Sequence, residues 1–415
     1  MDKSVPRGRL QGRISPPCSK SYAQRALALA LLAHGTSTLR NIEFCDDTLS
    51  ALHCIETLGA RPVRTGETTL EVTGGFAPRS TALQVGESGL ATRLFTPIAS
   101  LWHQPVVIEG RGTLLHRPMG MMVEPLRALG VDVRDGGGLL PIQVKGPIKG
   151  GRIVLDASMS SQFVTGLLIA LPLAEGDTTL EVHGAVSTPY IDMTVETVER
   201  FGGQIMHNDY SEFFIEGGQQ YSATDYAIEG DWSAAAMLLT AGAIAGEVTV
   251  ENITPLSKQA DTAVCHALVR AGASLISDEN SVTAAARPLT AFEFDATDAP
   301  DLFPALVALA AAADGVSTIV GTSRLEHKES NRAETLKQEY EKLGIEIDLS
   351  QDNVMKVRGG EIRPAHTESH NDHRIAMSIA VSALRCDGQV TIDDAEAVAK
   401  SYPTFFDDLD SLRKN

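Results

Sequence analysis

The sequence predicts an α/β protein made of two globular domains, each of three repeated units. Three observations carry this expectation. Five apolar–glycine pairs, Leu58-Gly59, Leu129-Gly130, Phe201-Gly202, Ala271-Gly272 and Leu343-Gly344, recur at intervals of 71, 72, 70 and 72 residues. Glycine after the last helical turn is a common cap, and five at a near-constant interval make a repeat. Each interval also holds the same order of elements: an apolar helix, a β-branched strand, a loop and an amphipathic helix. Finally, six such units are too many for one core, so two globules of three are expected. The period exceeds the roughly 20–50 residues of solenoids, so each unit is a small subdomain. The sixth unit starts near Asn371 and ends at a helix over 405–412.

The first helix of each unit is apolar nearly all round, over 26–32, 163–173, 234–245, 302–313 and 375–384. Such helices must be buried. The second is amphipathic, as over 195–200 and 336–342, and belongs at the surface. The strands between them, such as 247–250 and 316–320, are short and rich in Val, Ile and Thr. A cut near residue 228 divides the units evenly. This gives a domain of repeats 1–3 over 17–227, and a domain of repeats 4–6 over 1–16 plus 228–415.

The chain is organised around Pro17-Cys18-Ser19-Lys20-Ser21-Tyr22-Ala23-Gln24-Arg25. Pro16 and Pro17 bar an earlier helix, and Ser19 or Ser21 can cap the one that follows. Free N–H groups, two hydroxyls and two cations there form an anion site. The other buried helices open on Gly86-Glu87-Ser88-Gly89, Ser160-Ser161-Gln162, Asp231-Trp232-Ser233, Asp301 and Asn371-Asp372-His373-Arg374. If equivalent helices point the same way, their N-termini face a cleft between the domains and attract anions. Plain capping accounts for Ser233 and Ser161. It accounts poorly for Lys20 and Arg374, since a cation at a helix N-terminus is unfavourable without an anion. Further cations in loops are Arg93, Arg117, Lys328, Arg332 and Lys400, and taken singly each reads as a solvated charge. Asp301 and Glu329 lie near them as a candidate acid–base pair.

Composition narrows the function classes. A formal charge of −18 disfavours nucleic acid and acidic membranes as partners. Cys18, Cys45, Cys54, Cys265 and Cys386 form no C-x-x-C pair, as expected of reduced thiols in the cytoplasm. No apolar stretch suffices for a signal peptide or a membrane span. His366, His370 and His373 have a spacing open to a metal but lack a fitting thiol or carboxylate. Gly136-Gly137-Gly138 reads as a turn between strands, and G-x-S-x-G and H-E-x-x-H are absent.

In sequence order, the motifs at Pro17–Arg25, Gly86–Arg93, Ser160–Phe163, Lys328–Arg332, Asn371–Arg374 and Lys400-Ser401-Tyr402-Pro403 resemble those of the enolpyruvyl transferases. The resemblance covers the whole chain. It implies two domains of three βαβαββ units, of the inverse α/β barrel type, joined at two crossovers. It also implies transfer of the enolpyruvyl group of phosphoenolpyruvate to the 5-hydroxyl of shikimate 3-phosphate, with release of phosphate. That reaction belongs to the shikimate pathway and uses no metal or organic cofactor; a monomer is expected.

The resemblance assigns Lys20, Asp301 and Glu329 to catalysis. It gives Lys20, Ser21, Arg25, Ser160, Ser161, Gln162, Ser187, Tyr190, Asp301 and Lys328 to shikimate 3-phosphate. It gives Lys20, Gly89, Arg117, Arg332, His373, Arg374 and Lys400 to phosphoenolpyruvate. The sequence departs from the family pattern at Cys18, Ala23-Gln24, Glu87, Leu90, Leu94 and Asn331, but these departures remove no cation. One alternative is the family member that acts on UDP-N-acetylglucosamine. It typically carries a reactive Cys in the loop equivalent to 110–119, and no Cys occurs there. A non-catalytic repeat-built binding protein is the other alternative, though it has no need of Asp301 or Glu329.

Overall fold

The computed structural model describes residues 2–414. The chain forms two compact units: Cys18–Ile228, and the segment up to Pro17 together with the segment from Glu229 onward.

The Cys18–Ile228 unit contains α1 (Lys20–Leu32), α2 (Asp46–Thr57), α3 (Gly89–Ala99), α4 (Val123–Ala128), α5 (Gln162–Ala170) and α6 (Thr188–Arg200). Every residue of α3 is buried, as is α1 from Tyr22 onward. Both helices pack within the core, α3 against α5 and α1. Leu27, Leu31, Leu94, Phe95, Val164 and Leu168 interlock there without exposure. Apolar side chains on every face leave these helices no surface to turn to water, so they lie inside and the sheets surround them.

Each sheet of this unit repeats one pattern: a parallel pair, then two antiparallel neighbours. Gly151–Asp156 runs parallel to Thr178–His183, which pairs antiparallel with Glu212–Ile215, and that strand with Met206–Asn208. The register sets buried Leu180 opposite buried Phe213, with Thr179 and Phe214 on the other face. In the first repeat the parallel strand is Asp225–Ala227, from the far end of the unit, lying on Thr36–Arg40.

The second unit contains α7 (Trp232–Ala245), α8 (Val264–Arg270), α9 (Phe303–Ala311), α10 (Arg332–Lys342), α11 (His373–Ala383) and α12 (Phe405–Ser411). Helices α7, α9 and α11 pack together as the buried set. The N-terminal segment belongs here: Leu10–Ile14 lies parallel to Gly246–Glu251, and Lys3–Pro6 antiparallel to Gln389–Asp393.

The glycines that mark the repeat all adopt positive φ, from 84° at Gly202 to 122° at Gly59, a conformation that other residues rarely take. Helix α5 ends as α-helix at Ala170 and continues as a 3-10 turn over Leu171–Leu173, short of the expected end at 173. Pro172 has no N–H to donate, so the α ladder stops there. Gly137 and Gly138, with φ of 74° and 85°, turn the chain between Asp132–Asp135 and Ile142–Lys145. Among the described residues no helix is long and apolar enough to cross a membrane.

Candidate active site

In the Cys18–Ile228 unit, polar side chains tie together the starts of the three buried helices. Ser19 is the N-cap of α1, its hydroxyl accepting from Tyr22 N at 3.5 Å. Lys20 Nζ donates to Asp47 Oδ2 at 2.9 Å, and both side chains are largely buried. This carboxylate supplies the anion that a cation at a helix N-terminus requires. Arg25 is fully buried. Its guanidinium donates to Thr194 Oγ1 (2.9 Å), Ser21 O (2.8 Å), Tyr190 O (3.0 Å) and Thr165 Oγ1 (3.2 Å), joining α1 to α5 and α6. Burial pushes the Arg25 pKa down to about 10, so it remains charged at neutral pH.

Ser88 caps α3 and donates its hydroxyl proton to Gln24 Oε1 at 3.3 Å. Arg93 donates to Gln162 Oε1 at 2.7 Å and stacks over Phe163. It was expected in a loop; it lies inside buried α3, because its head reaches the start of α5 while its stem packs in the core. Gly89 lets the Arg117 guanidinium approach closely: a Cβ there would lie 2.8 Å from Arg117 Nη1 and displace it. Two buried nitrogens in this region, Gln24 Nε2 and Arg117 Nε, have no hydrogen-bond partner among the described residues.

The three serines at 160, 161 and 187 differ in role. Ser160 Oγ accepts from Gln162 N at 3.2 Å, while Ser161 has helical dihedrals and makes no side-chain cap. The capping reading of Ser161 is therefore corrected. Ser187 is left-handed, with φ 55°, and its carbonyl accepts from Tyr190 N at 3.0 Å. Cys18 is buried, its Sγ accepting from Glu43 N at 3.2 Å. The Glu87 carboxylate packs against Gly112, whose φ is 59°.

In the other unit the charges are denser. Arg332 was expected as a loop cation, yet it is the first residue of α10 and fully buried. Three carboxylates account for this. Its Nη1 donates to Asp301 Oδ1 at 2.8 Å, its Nη2 to Glu329 Oε2 at 2.7 Å, and its Nε to Asp372 Oδ2 at 3.0 Å. Burial opposes the charge, but Asp372, Glu329 and Asp301 outweigh it and hold the Arg332 pKa above the usual arginine range. Asp301 also accepts from Lys328 Nζ at 3.3 Å and Arg374 Nη2 at 3.4 Å. Burial holds Lys328 below the usual lysine range, against the pull of Asp301.

Asp372 is the N-cap of α11, accepting from Arg374 N at 3.0 Å. His370 and Asn371 precede it with φ of 52° and 55°. Two groups fix that turn: Lys400 Nζ donates to Asn371 O at 2.8 Å, and His370 Nε2 lies 2.8 Å from Oε1 of the buried Glu339. His373 is buried, Nδ1 standing 3.9 Å from Asp372 Oδ1. His366 pairs instead with Asp393 at 2.6 Å. Among the described residues no group of three or more His, Cys, Asp or Glu is arranged to hold a metal ion.

Ser233 does not cap α7. Asp231 does, accepting from Ala234 N at 2.8 Å, and the Ser233 hydroxyl donates instead to Asp261 Oδ2. Sequence reasoning missed Asp261, as it missed Asp47, Asp372 and Glu339 as partners of the cations. The signal for Asp372 was its place before Arg374; the other three give none without the fold.

Two units of three repeats, with cations and carboxylates at the starts of their buried helices, define the enolpyruvyl-transferase class. Within it the chain belongs to the EPSP synthase (3-phosphoshikimate 1-carboxyvinyltransferase) family, whose model matches residues 5–409. It is 38% identical to the 3-phosphoshikimate 1-carboxyvinyltransferase of Thermococcus kodakarensis, over 97% of this chain and 98% of that relative. It is 34% identical to the protein of that name from Clostridium acetobutylicum, over 97% and 95%. The solved structure of EPSP synthase from Acinetobacter baumannii superposes with a TM-score of 0.84 at 26% identity, over 99% and 98% of the two chains.

Proposed function

We propose that this chain transfers the enolpyruvyl group of phosphoenolpyruvate to the 5-hydroxyl of shikimate 3-phosphate. The observation that carries the reading is the trio Asp301, Glu329 and Arg332: two carboxylates held by one buried guanidinium, with Lys328 and Arg374 beside them. Both substrates are polyanions, so cations and helix N-termini must hold their oxygens. The reaction also needs groups that take up and return protons.

In this reading the 5-hydroxyl adds to C2 of phosphoenolpyruvate as its proton passes to Asp301. C3 takes a proton from Glu329. Phosphate then leaves C2, and loss of a proton from C3 restores the double bond. Lys20, whose ammonium is placed by Asp47, assists proton transfer and neutralises substrate charge. Ser21, Arg25, Ser160, Ser161, Gln162, Ser187, Tyr190 and Lys328 hold shikimate 3-phosphate. Gly89, Arg117, Arg332, His373, Arg374 and Lys400 hold phosphoenolpyruvate. The sequence motifs support these assignments, and so does the linkage of the helix starts within each unit. The reading takes the protein to be a cytoplasmic monomer.

The test is Asp301→Asn. It should abolish phosphate release while shikimate 3-phosphate still binds by calorimetry. Undiminished release would overturn the assignment of Asp301.

A further inference from the structure

The chemistry above leaves one fully buried carboxylate of the second unit unused. Glu339 lies inside α10 and has no exposed surface. Both of its oxygens are occupied. Lys342 Nζ, one turn further on, donates to each at 2.8 Å. Oε2 also accepts from the backbone N–H of Glu368 at 2.9 Å, and Oε1 lies 2.8 Å from His370 Nε2. A carboxylate only accepts, so Nε2 carries the proton of that bond. An ion pair with Lys342 alone could stand in water, where it would cost no desolvation. The two further bonds go to one place, the residues on either side of Ser369.

That segment joins the strand Ala365–Glu368 to α11 and delivers Asp372, His373 and Arg374. Its middle is strained: His370 and Asn371 are consecutive non-glycine residues with φ of 52° and 55°. Such a conformation persists only where its surroundings hold it. Ser369 braces the turn from within, its hydroxyl donating to Asp394 O at 2.9 Å and accepting from Asn371 N at 3.1 Å. Helix α10 grips it at both ends. Arg332 Nε and Nη2 donate to Asp372 Oδ2 and Oδ1 at 3.0 and 3.2 Å, after the strained pair. Glu339 takes the Glu368 N–H before the pair and the His370 ring within it. These two residues of α10 are two helical turns apart, so they share one face about 10 Å long. One end of that face is a cation and the other an anion.

We infer that Glu339, acting through His370, is a positioning residue that holds the turn in the shape presenting Arg374 to phosphoenolpyruvate. This rests on the reading of Arg374 as a ligand of that substrate. Arg332 fixes Asp372 but leaves the two residues before it able to relax to negative φ. That relaxation would redirect the chain ahead of α11 and shift Asn371 O, to which Lys400 is bonded. Two of the cations assigned to phosphoenolpyruvate would then move together.

The test replaces His370, whose side chain is 25% exposed, so that the core is spared. Glutamine places an N–H where Nε2 stands. Asparagine ends short of it but suits positive φ better. Backbone preference alone therefore favours His370→Asn, whereas the bond to Glu339 favours His370→Gln. Two readouts are needed on the full chain: amide hydrogen exchange over residues 369–374, and the KM for phosphoenolpyruvate from phosphate release. His370→Asn should raise both about tenfold, with the affinity for shikimate 3-phosphate by calorimetry unchanged. His370→Gln should restore both towards wild type. Glu339→Gln turns an N–H2 group towards a donor and should match His370→Asn; if it does not fold, the His370 pair decides alone. Equal behaviour of His370→Asn and His370→Gln would overturn the inference, as would an unmoved exchange rate or KM in His370→Asn. Arg374→Gln separates this from the reading beneath it. A raised KM there, with His370→Asn unmoved, would sink only the role of Glu339. An unmoved KM there would sink the assignment of Arg374. Without turnover in wild type the proposed reaction fails, and exchange decides whether Glu339 holds the turn.

Discussion

Arg332 Nη1 lies 2.8 Å from Asp301 Oδ1, and the arginine has no exposed surface. The same guanidinium also holds Glu329 and Asp372, so one cation fixes both proposed proton-transfer groups and the cap of α11. Arg332→Ala would take the guanidinium from three carboxylates, of which Asp301 keeps Lys328 and Arg374. We expect a loss of about 3–5 kcal/mol in unfolding free energy, together with loss of turnover. Arg332→Lys keeps the charge but not the fork, and should stay folded with much reduced kcat. Urea unfolding and phosphate release on both variants provide the check.

Gly89→Ala separates substrate binding from stability. Its Cβ would stand 2.8 Å from Arg117 Nη1 and push that guanidinium away. Alanine is otherwise favourable in a helix, so unfolding free energy should change by only about 1 kcal/mol or less. The Michaelis constant for phosphoenolpyruvate should rise well above that of wild type, with less change for shikimate 3-phosphate. The reverse order would contradict the placement of Arg117.

Arg25→Met tests the buried junction of α1, α5 and α6. The substitution removes the guanidinium's bonds to Thr165 Oγ1, Thr194 Oγ1 and the Tyr190 carbonyl, of which the carbonyl keeps its bond from Thr194 Oγ1. Stability should fall by about 2–4 kcal/mol. Affinity for shikimate 3-phosphate should fall too, which titration calorimetry would show.

Much of the fold was legible because its signals are local. Positive-φ glycines at 59, 130, 202, 272 and 344 end helices whatever surrounds them, and an all-apolar helix has to be buried. The strands that complete the first and fourth repeats were harder to see. Asp225–Ala227 and Leu10–Ile14 pair with partners far along the chain, and nothing in their short patterns names those partners. The helix starts named the candidate site, but not how its charges are compensated. Arg332 looks like a solvated loop cation until Asp301, Glu329 and Asp372 are seen around it. Ser233 looks like a cap until Asp231 takes that role and frees the hydroxyl for Asp261.

Asp261 also predicts a dependence of stability on pH. Its folded pKa of about 7 exceeds the unfolded value near 3.8, so the folded state binds the proton more tightly. The resulting stability is fully present below pH ~4 and is lost as pH rises towards 7, at about 1.4 kcal/mol per pKa unit. Asp261→Asn escapes that loss. Its melting temperature relative to wild type should therefore be higher at pH 8 than at pH 4.5. An equal difference at both pH values would count against a proton on Asp261.

The most direct measurement is phosphate release from phosphoenolpyruvate, with either shikimate 3-phosphate or UDP-N-acetylglucosamine as acceptor. The account predicts release with shikimate 3-phosphate alone, and formation of its enolpyruvyl ether in equal amount. Release with UDP-N-acetylglucosamine, or none with either acceptor, would contradict it.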